Sequence, residues 1–237
     1  MGPAVVVRES RVSTGNTVLD SSLEGGLPAG SLILVEGEDG AGAAEFAFAV
    51  LRAAAARGAK ARFLSALRSP LRIRREAHAL FENEGAAAAI DVRGANGATH
   101  AMKGATNQAT ALAVSDLGEG DVLAVESVSA LLGAGSCHDL AGFVQKLGDT
   151  AAERGAVVLL LHALGSVPAE VASVVRENAD GRFDFTWRLG QNARRRYLTV
   201  PKLRGLAPVL EGEQVPVFEV ELVRGAGYRL SRVNSVL

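Results

Sequence analysis

One stretch limits what this chain can become: Gly37-Glu38-Asp39-Gly40-Ala41-Gly42-Ala43-Ala44, a glycine loop between two unlike neighbours. Before it runs Leu32-Ile33-Leu34-Val35, short and wholly apolar, which reads as a buried strand. After it comes an Ala-rich run, Glu45 to Arg57, of helix-forming composition. Strand, glycine loop and helix, in that order, is the setting in which a loop cradles phosphate. Loop N–H groups and the following helix N-terminus then converge on one anion. The template for such loops is G-x-x-x-x-G-K-[ST]. Gly37 and Gly42 keep its spacing, with Gly40 between them, but Ala43 stands at the lysine position and Ala44 at the Ser/Thr position. The backbone for phosphate is present; the side chains for phosphate charge and for Mg²⁺ are not. Glu38 and Asp39 add negative charge at a helix N-terminus that should attract an anion.

Elsewhere apolar runs and helical patterns alternate. Strands are expected at Ala61 to Leu64, Ala87 to Val92, Asp121 to Ser129 and Ala156 to His162. Helices are expected from Pro70 to Glu84, Ala105 to Leu117, His138 to Arg154 and Val167 to Asn178. Gly94 to Gly104 reads as an exposed loop, and Val5 to Val12 as an edge strand or arm. The cluster Arg68, Arg72, Arg74 and Arg75 reads as a solvated face, with an anion or partner site as the alternative. Beyond Gly181 the pattern turns to strands: Gly181 to Leu189, Tyr197 to Leu203, Pro216 to Val223 and Gly227 to Leu230.

Composition narrows the class. The chain has 237 residues, 48% of them hydrophobic, and a formal charge of −1, which fits a soluble globular protein with a sizeable core. A nearly neutral balance does not point to nucleic acid. The single cysteine, Cys137, forms no internal disulfide, which suits a reducing cytoplasm. The longest apolar run, Ala156 to Leu161, is far short of a membrane span, and the N-terminal stretch has no signal-peptide apolar core. The expected location is cytoplasmic. His78, His100 and His138 lack metal-ligand spacing, so no metal site is expected.

The segment from Ser13 to Ser31 reads S-T-G-x-x-x-L-D-x-x-L-x-G-G-L-P-x-G-S and runs straight into the apolar strand and glycine loop. It resembles the opening of RecA-superfamily ATPase domains of the KaiC type. The resemblance implies a RecA-like P-loop NTPase fold of the α/β class: a mostly parallel central sheet, helices on both faces, and a C-terminal antiparallel β extension. It implies one domain, 1–237, made of an N-terminal arm and lead-in (1–31), an α/β core (32–180) and a β extension (181–237). By position it makes Gly37, Gly40, Gly42, Ala43 and Ala44 a degenerate P-loop. Glu126 falls at the Walker B position, where the family carries aspartate; the extra methylene moves the charge by about 1.5 Å, against the strict octahedral demand of Mg²⁺. His162 falls at the strand-end position that senses γ-phosphate; the plainer reading is a histidine capping a strand. The glutamate pair that polarises the attacking water is replaced by Leu67-Arg68. Lys202-Leu203-Arg204-Gly205 resembles the K-x-R-G element, whose Lys and Arg reach a neighbouring subunit's nucleotide, Arg as a finger on γ-phosphate charge.

Phosphoryl transfer rests on positioning and charge stabilisation, and losing one such group typically costs several kcal/mol of barrier. The first reading is therefore a pseudo-ATPase with no catalytic residue, a regulatory or scaffolding subunit. It would assemble with itself as a homo-oligomer or pair with an active RecA/KaiC-like relative. The ligand the resemblance implies is ATP with Mg²⁺; the side chains argue for no cofactor. The alternative is an ATP-binding switch or weak ATPase in signalling or in DNA recombination and repair. A nucleic-acid accessory role has only Arg194-Arg195-Arg196 behind it, with no aromatic-interleaved basic stretch, so nucleic acid is not an expected partner and neither is a membrane.

Overall fold

Side-chain contacts turn the lead-in signature into an entry ramp for the sheet. The computed structural model describes residues 10–81, 84–94, 105–132, 136–189, 193–206, 216–223, 225 and 227–233. Strand β1 (Arg11–Val12) pairs antiparallel with β2 (Leu27–Pro28), and helix α1 (Thr17–Ser22) lies between them. Asp20 accepts from Ser13 Oγ at 2.6 Å and from the Thr14 N–H at 2.8 Å, fixing the turn before α1. Gly15 has φ +81°, and a Cβ there would sit 2.9 Å from the Ala49 carbonyl oxygen, so that position needs glycine twice over. Leu19 and Leu23 are fully buried.

The chain then enters β3 (Ser31–Gly37), and the order continues α2 (Ala43–Ala56), β4 (Ala61–Ser65), α3 (Pro70–Leu80), α4 (Glu84–Ala88), β5 (Asp91–Gly94), α5 (Ala105–Ser115), β6 (Val122–Glu126), α6 (Val128–Leu132), α7 (Cys137–Arg154), β7 (Val157–Ala163) and α8 (Ala169–Asn178). Strands β8 (Gly181–Leu189), β9 (Arg194–Leu203), β10 (Val217–Val223) and β11 (Gly227–Arg232) follow. Nine strands form one sheet in the order β11-β10-β9-β8-β3-β7-β6-β4-β5. From β8 to β5 neighbours run parallel; β9, β10 and β11 add antiparallel pairs at the other edge. This is the α/β architecture expected, with one correction. β8 is a parallel neighbour of β3, so the antiparallel extension begins one strand later, at β9.

Helices cover both faces, which is why the central strands are apolar throughout. Ile33 and Val35 face one core with Phe46, Phe63 and Phe183; Leu32 and Leu34 face the other with Leu123, Val158 and α7 residues such as Val144. Leu34, Val35, Leu123, Val125, Val158 and Leu160 are all fully buried, as the register required.

Two further expectations need correction. The run read as a strand from Ala87 is the end of α4, and pairing starts at Asp91: the Ala-rich stretch takes its helical preference, leaving Val92 the buried residue of a short edge strand. Val128 and Ser129, read as the exit of a strand, instead begin helix α6. Most of the loop expected from Gly94 to Gly104, and residues 1–9 of the arm, lie outside the described residues; Gly94 itself closes β5.

Phe46 joins α2 to the extension, stacking on Phe183 at 5.3 Å between ring centres and lying 6.1 Å from Tyr228. Phe46→Ala should destabilise the protein by about 3–5 kcal/mol in urea unfolding, whereas Val18→Ala, on the surface of α1, should stay within about 0.5 kcal/mol.

Candidate functional site

The loop between β3 and α2 opens onto a cleft of ≈ 320 Å³. The cleft lies at the carboxyl ends of β3, β4, β6 and β7, where ligands bind in open α/β sheets. Gly37, Gly40, Gly42, Ala43 and Ala44 line it, as do Glu126 and His162, so the structure gathers the strand-end and loop candidates around one space. Gly42, at φ +115°, precedes the first turn of α2, and no side chain caps that helix start. Ala43 and Ala44 present methyl groups where the phosphate-loop template has an ammonium and a hydroxyl.

The charge around the cleft has the wrong sign for phosphate. Five lining carboxylates, Glu38, Asp39, Glu45, Glu76 and Glu126, face one lining guanidinium, Arg68. Arg68 is not part of a solvated face, as the sequence suggested. It turns inward, Nη2 lying 2.7 Å from Glu126 Oε1 and Nε donating to Oε2 at 3.1 Å, while its Nη1 pairs with Glu76. Ser65 Oγ donates to Glu126 Oε2 at 2.6 Å. The Glu126 carboxylate thus already holds a bidentate cation and a hydroxyl. Burial pushes the Glu76 carboxyl up; Arg68 opposes this, but Glu45 and Glu126 repel its charge, and it titrates above the usual glutamate range.

ATP with Mg²⁺ is the ligand the fold implies, and these residues do not fit it. The loop has no cation to meet phosphate, Glu126 is engaged by Arg68, and carboxylates surround the space. Among the described residues no group of three or more His, Cys, Asp or Glu is arranged to hold a metal ion.

Sequence reasoning missed Glu36, the residue before Gly37. It is 1% exposed, and its carboxylate accepts from Arg176 Nε at 2.8 Å, lies 2.7 Å from His162 Nδ1, and has Arg182 at 3.6 Å. Burial works against its ionisation, but hydrogen bonds from His162 and Arg176, together with their charge attraction, outweigh burial and hold it below the usual glutamate range. The available signal was a lone charge ending an otherwise apolar strand. His162 thereby joins β7 to β3 while lining the cleft, and its buried Nε2 has no hydrogen-bond partner among the described residues.

A second missed feature holds the loop itself. Trp187 and Arg196 are cross-strand partners in β8 and β9. Trp187 Nε1 donates to the Asp39 carbonyl at 3.0 Å and Arg196 Nε to the Gly40 carbonyl at 2.9 Å. Arg194 and Arg196 both stack on the Trp187 ring, 4.9 and 4.3 Å from its centre. Two arginines of the 194–196 run therefore fasten the loop, and the third, Arg195, pairs with Glu219 at 3.0 Å. The K-x-R-G pair also bonds within its own chain. Lys202 Nζ donates to the Arg176 and Glu177 carbonyls at the end of α8, at 3.3 and 3.2 Å. Arg204 donates to the Ala29 and Gly30 carbonyls and to Asp180. Both lie away from the cleft lining.

Sheet order, glycine loop and a cleft at the strand ends define a RecA-like α/β fold of the KaiC-like type. A KaiC-like protein, PH0186, from the archaeon Pyrococcus horikoshii OT3 superposes with a TM-score of 0.75 at 17% identity, over 94% of this chain and 99% of that one. The flagellar accessory protein FlaH from Methanocaldococcus jannaschii gives 0.72 at 18% identity, with the same coverage of 94% and 99%. At these identities the likeness is one of fold. A family model described as a family of unknown function, DUF7125, matches residues 11–215, and the chain belongs to that family. No curated protein matches. Among the described residues no helix is long and apolar enough to cross a membrane.

Glu36 supplies a pH test. A depressed carboxylate contributes stability that is complete above the unfolded value and disappears as pH falls through the folded value. Glu36→Gln leaves two guanidiniums facing a neutral amide and should cost about 3 kcal/mol at pH 7. That gap from wild type should narrow as pH drops below about 4.3. Chemical denaturation across pH 7 to 3 measures it; a gap constant to pH 3 would contradict the assignment.

Proposed function

We propose that this protein is a pseudo-ATPase: a non-catalytic RecA/KaiC-like subunit that regulates or scaffolds, through self-association or by pairing with an active relative. One observation carries the reading, the Arg68 bridge between Glu126 and Glu76 inside the cleft. It puts a fixed protein cation on the carboxylate that would serve Mg²⁺, and an arginine at one of the two positions where the resemblance expects a catalytic glutamate. The methyl groups of Ala43 and Ala44 remove the loop's own phosphate and metal contacts. Carboxylates around the rim then repel a polyphosphate that arrives without compensating cations.

Two features support a binding role. The loop is fastened by Trp187 and Arg196, so the cleft is preformed in shape. The scaffold is otherwise intact, with both faces of the sheet packed.

Purified protein should show no ATP hydrolysis above a buffer blank, and Glu126→Gln should leave that unchanged. A steady turnover that Glu126→Gln abolishes would overturn the proposal. Ala43→Lys with Ala44→Thr should bring back measurable ATP binding without turnover, because Leu67 and Arg68 still occupy the catalytic positions. Light scattering over a range of concentrations, with and without a RecA/KaiC-like relative, tests the assembly part: mass should rise with concentration or on mixing, and a strictly monomeric, non-associating protein would remove it.

A further inference from the structure

A second space, of ≈ 250 Å³, lies between α5 and α7, and no residue lining it also lines the loop cleft. Its deepest lining residues, Val114 and Leu147, are 1% and 2% exposed. Gln108, Ala111 and Lys146 line it too and are exposed, so the groove opens to solvent. Packed helices normally fill such a gap with their own side chains. Leu112 follows the lining residue Ala111, yet it stands 64% exposed. Each copy of the chain thus carries an apolar knob and an apolar hole side by side on α5.

The charges of α7 say what fits there. Gly142, Lys146, Thr150 and Glu153 fall at i, i+4, i+8 and i+11, so they share one stripe of that helix. Lys146 and Thr150 line the groove, which puts the stripe at its rim. One end of the rim is basic, through Lys146; the other is acidic, through Asp149 and Glu153. All three side chains are exposed, and none has an ion-pair or hydrogen-bond partner among the described residues. Turned onto itself by a two-fold axis near Thr150, the rim sets Lys146 of each copy against the acidic end of the other. The patch is therefore self-complementary in charge as well as in shape, which an isologous dimer requires. Gly142 agrees. Glycine inside a helix is costly relative to alanine. A Cβ there would meet nothing within 4 Å, so the fold itself gives no reason for it. A second helix laid closely across α7 does.

We infer that the outer face of α5 and α7 is where two copies of this chain pair, antiparallel about a two-fold axis, with Leu112 of each seated in the other's groove. The inference rests on the self-association in the reading above and names the surface that performs it. The 18 residues of α7 make the face about 27 Å long, and two helices make it about 20 Å wide. That is on the order of 1,000 Å² for both copies, the low end of specific interfaces, so the dimer should be reversible at micromolar concentration.

Sedimentation equilibrium of the full-length chain, from about 1 to 500 μM at low salt, reads the pairing. The mass of 24.5 kDa should rise toward twice that value. Leu112→Glu should weaken association at least tenfold. Lys146→Glu alone and Glu153→Lys alone should each weaken it about tenfold, because like charges then meet twice in every dimer. An equimolar mixture of these two variants should recover the wild-type constant, since both contacts in the mixed pair are again opposite. Variants that had merely lost their fold would not recover. A mixture no more dimeric than its parts overturns the interface. Wild-type association that Leu112→Glu leaves unchanged also overturns it, but leaves self-association standing on another face. A wild-type chain monomeric throughout overturns the interface and self-association together, and pairing with a relative keeps its own mixing test. If mass rises only with that relative present and Leu112→Glu abolishes the rise, the face belongs to the relative and self-pairing is overturned.

Discussion

The site depends on the ion pair between Arg68 and Glu126. A carboxylate at the end of a central strand, 15% exposed as a side chain, needs a compensating charge. In a metal-dependent phosphoryl-transfer site the compensation arrives with substrate, as Mg²⁺. Here it is covalently part of the next strand's exit. Once Arg68 sits there, both oxygens of Glu126 are engaged, Glu76 is drawn in as second partner of Arg68, and Ser65 donates to Glu126. The methyl groups of Ala43 and Ala44 on the same cleft agree with this arrangement, since they bring no cation or hydroxyl to it.

The second dependence is mechanical. A glycine-rich loop stripped of a ligand has little to hold it, and loops without partners are where local stability is lowest. This one is tied from outside. Trp187 and Arg196 take the carbonyls of Asp39 and Gly40, and the Glu38 N–H donates to the Phe185 carbonyl at 3.0 Å. Behind the loop, Glu36 and His162 lock β3 to β7, and Arg176 brings in α8. The cleft therefore has a rigid floor, a fastened rim and an acidic lining.

Most of the fold was legible in the sequence because it is written in periodicity and punctuation. Ser13, Asp20, Leu19 and Leu23 form a signature whose physical content is a hydrogen-bonded turn and two core contacts. The strand assignment failed where composition was equivocal, as at the Ala-rich α4; at β8 the strand itself was legible and only its pairing direction was not, because nothing local to Phe183, Phe185 and Trp187 says whether their neighbour runs parallel. For the site, the loop, Glu126 and His162 could be placed by position. Their partners could not. Arg68 lies 58 residues before Glu126, and Glu36 lies 126 before His162, so each pairing exists only after the sheet has formed. Arginine runs mislead for the same reason. Arg194 and Arg196 share one face of β9 over Trp187, while Arg195 points the other way to Glu219.

The central claim, that Arg68 occupies the place of the substrate's cation, is open to one direct measurement. A crystal of the protein soaked with ATP and Mg²⁺ would show the cleft in the presence of the ligand its fold implies. The account predicts Arg68 still bridging Glu126 and Glu76, with no phosphate density over Gly40 to Ala44. Mg²⁺ on Glu126, Arg68 swung away and phosphate on the loop amides would contradict it.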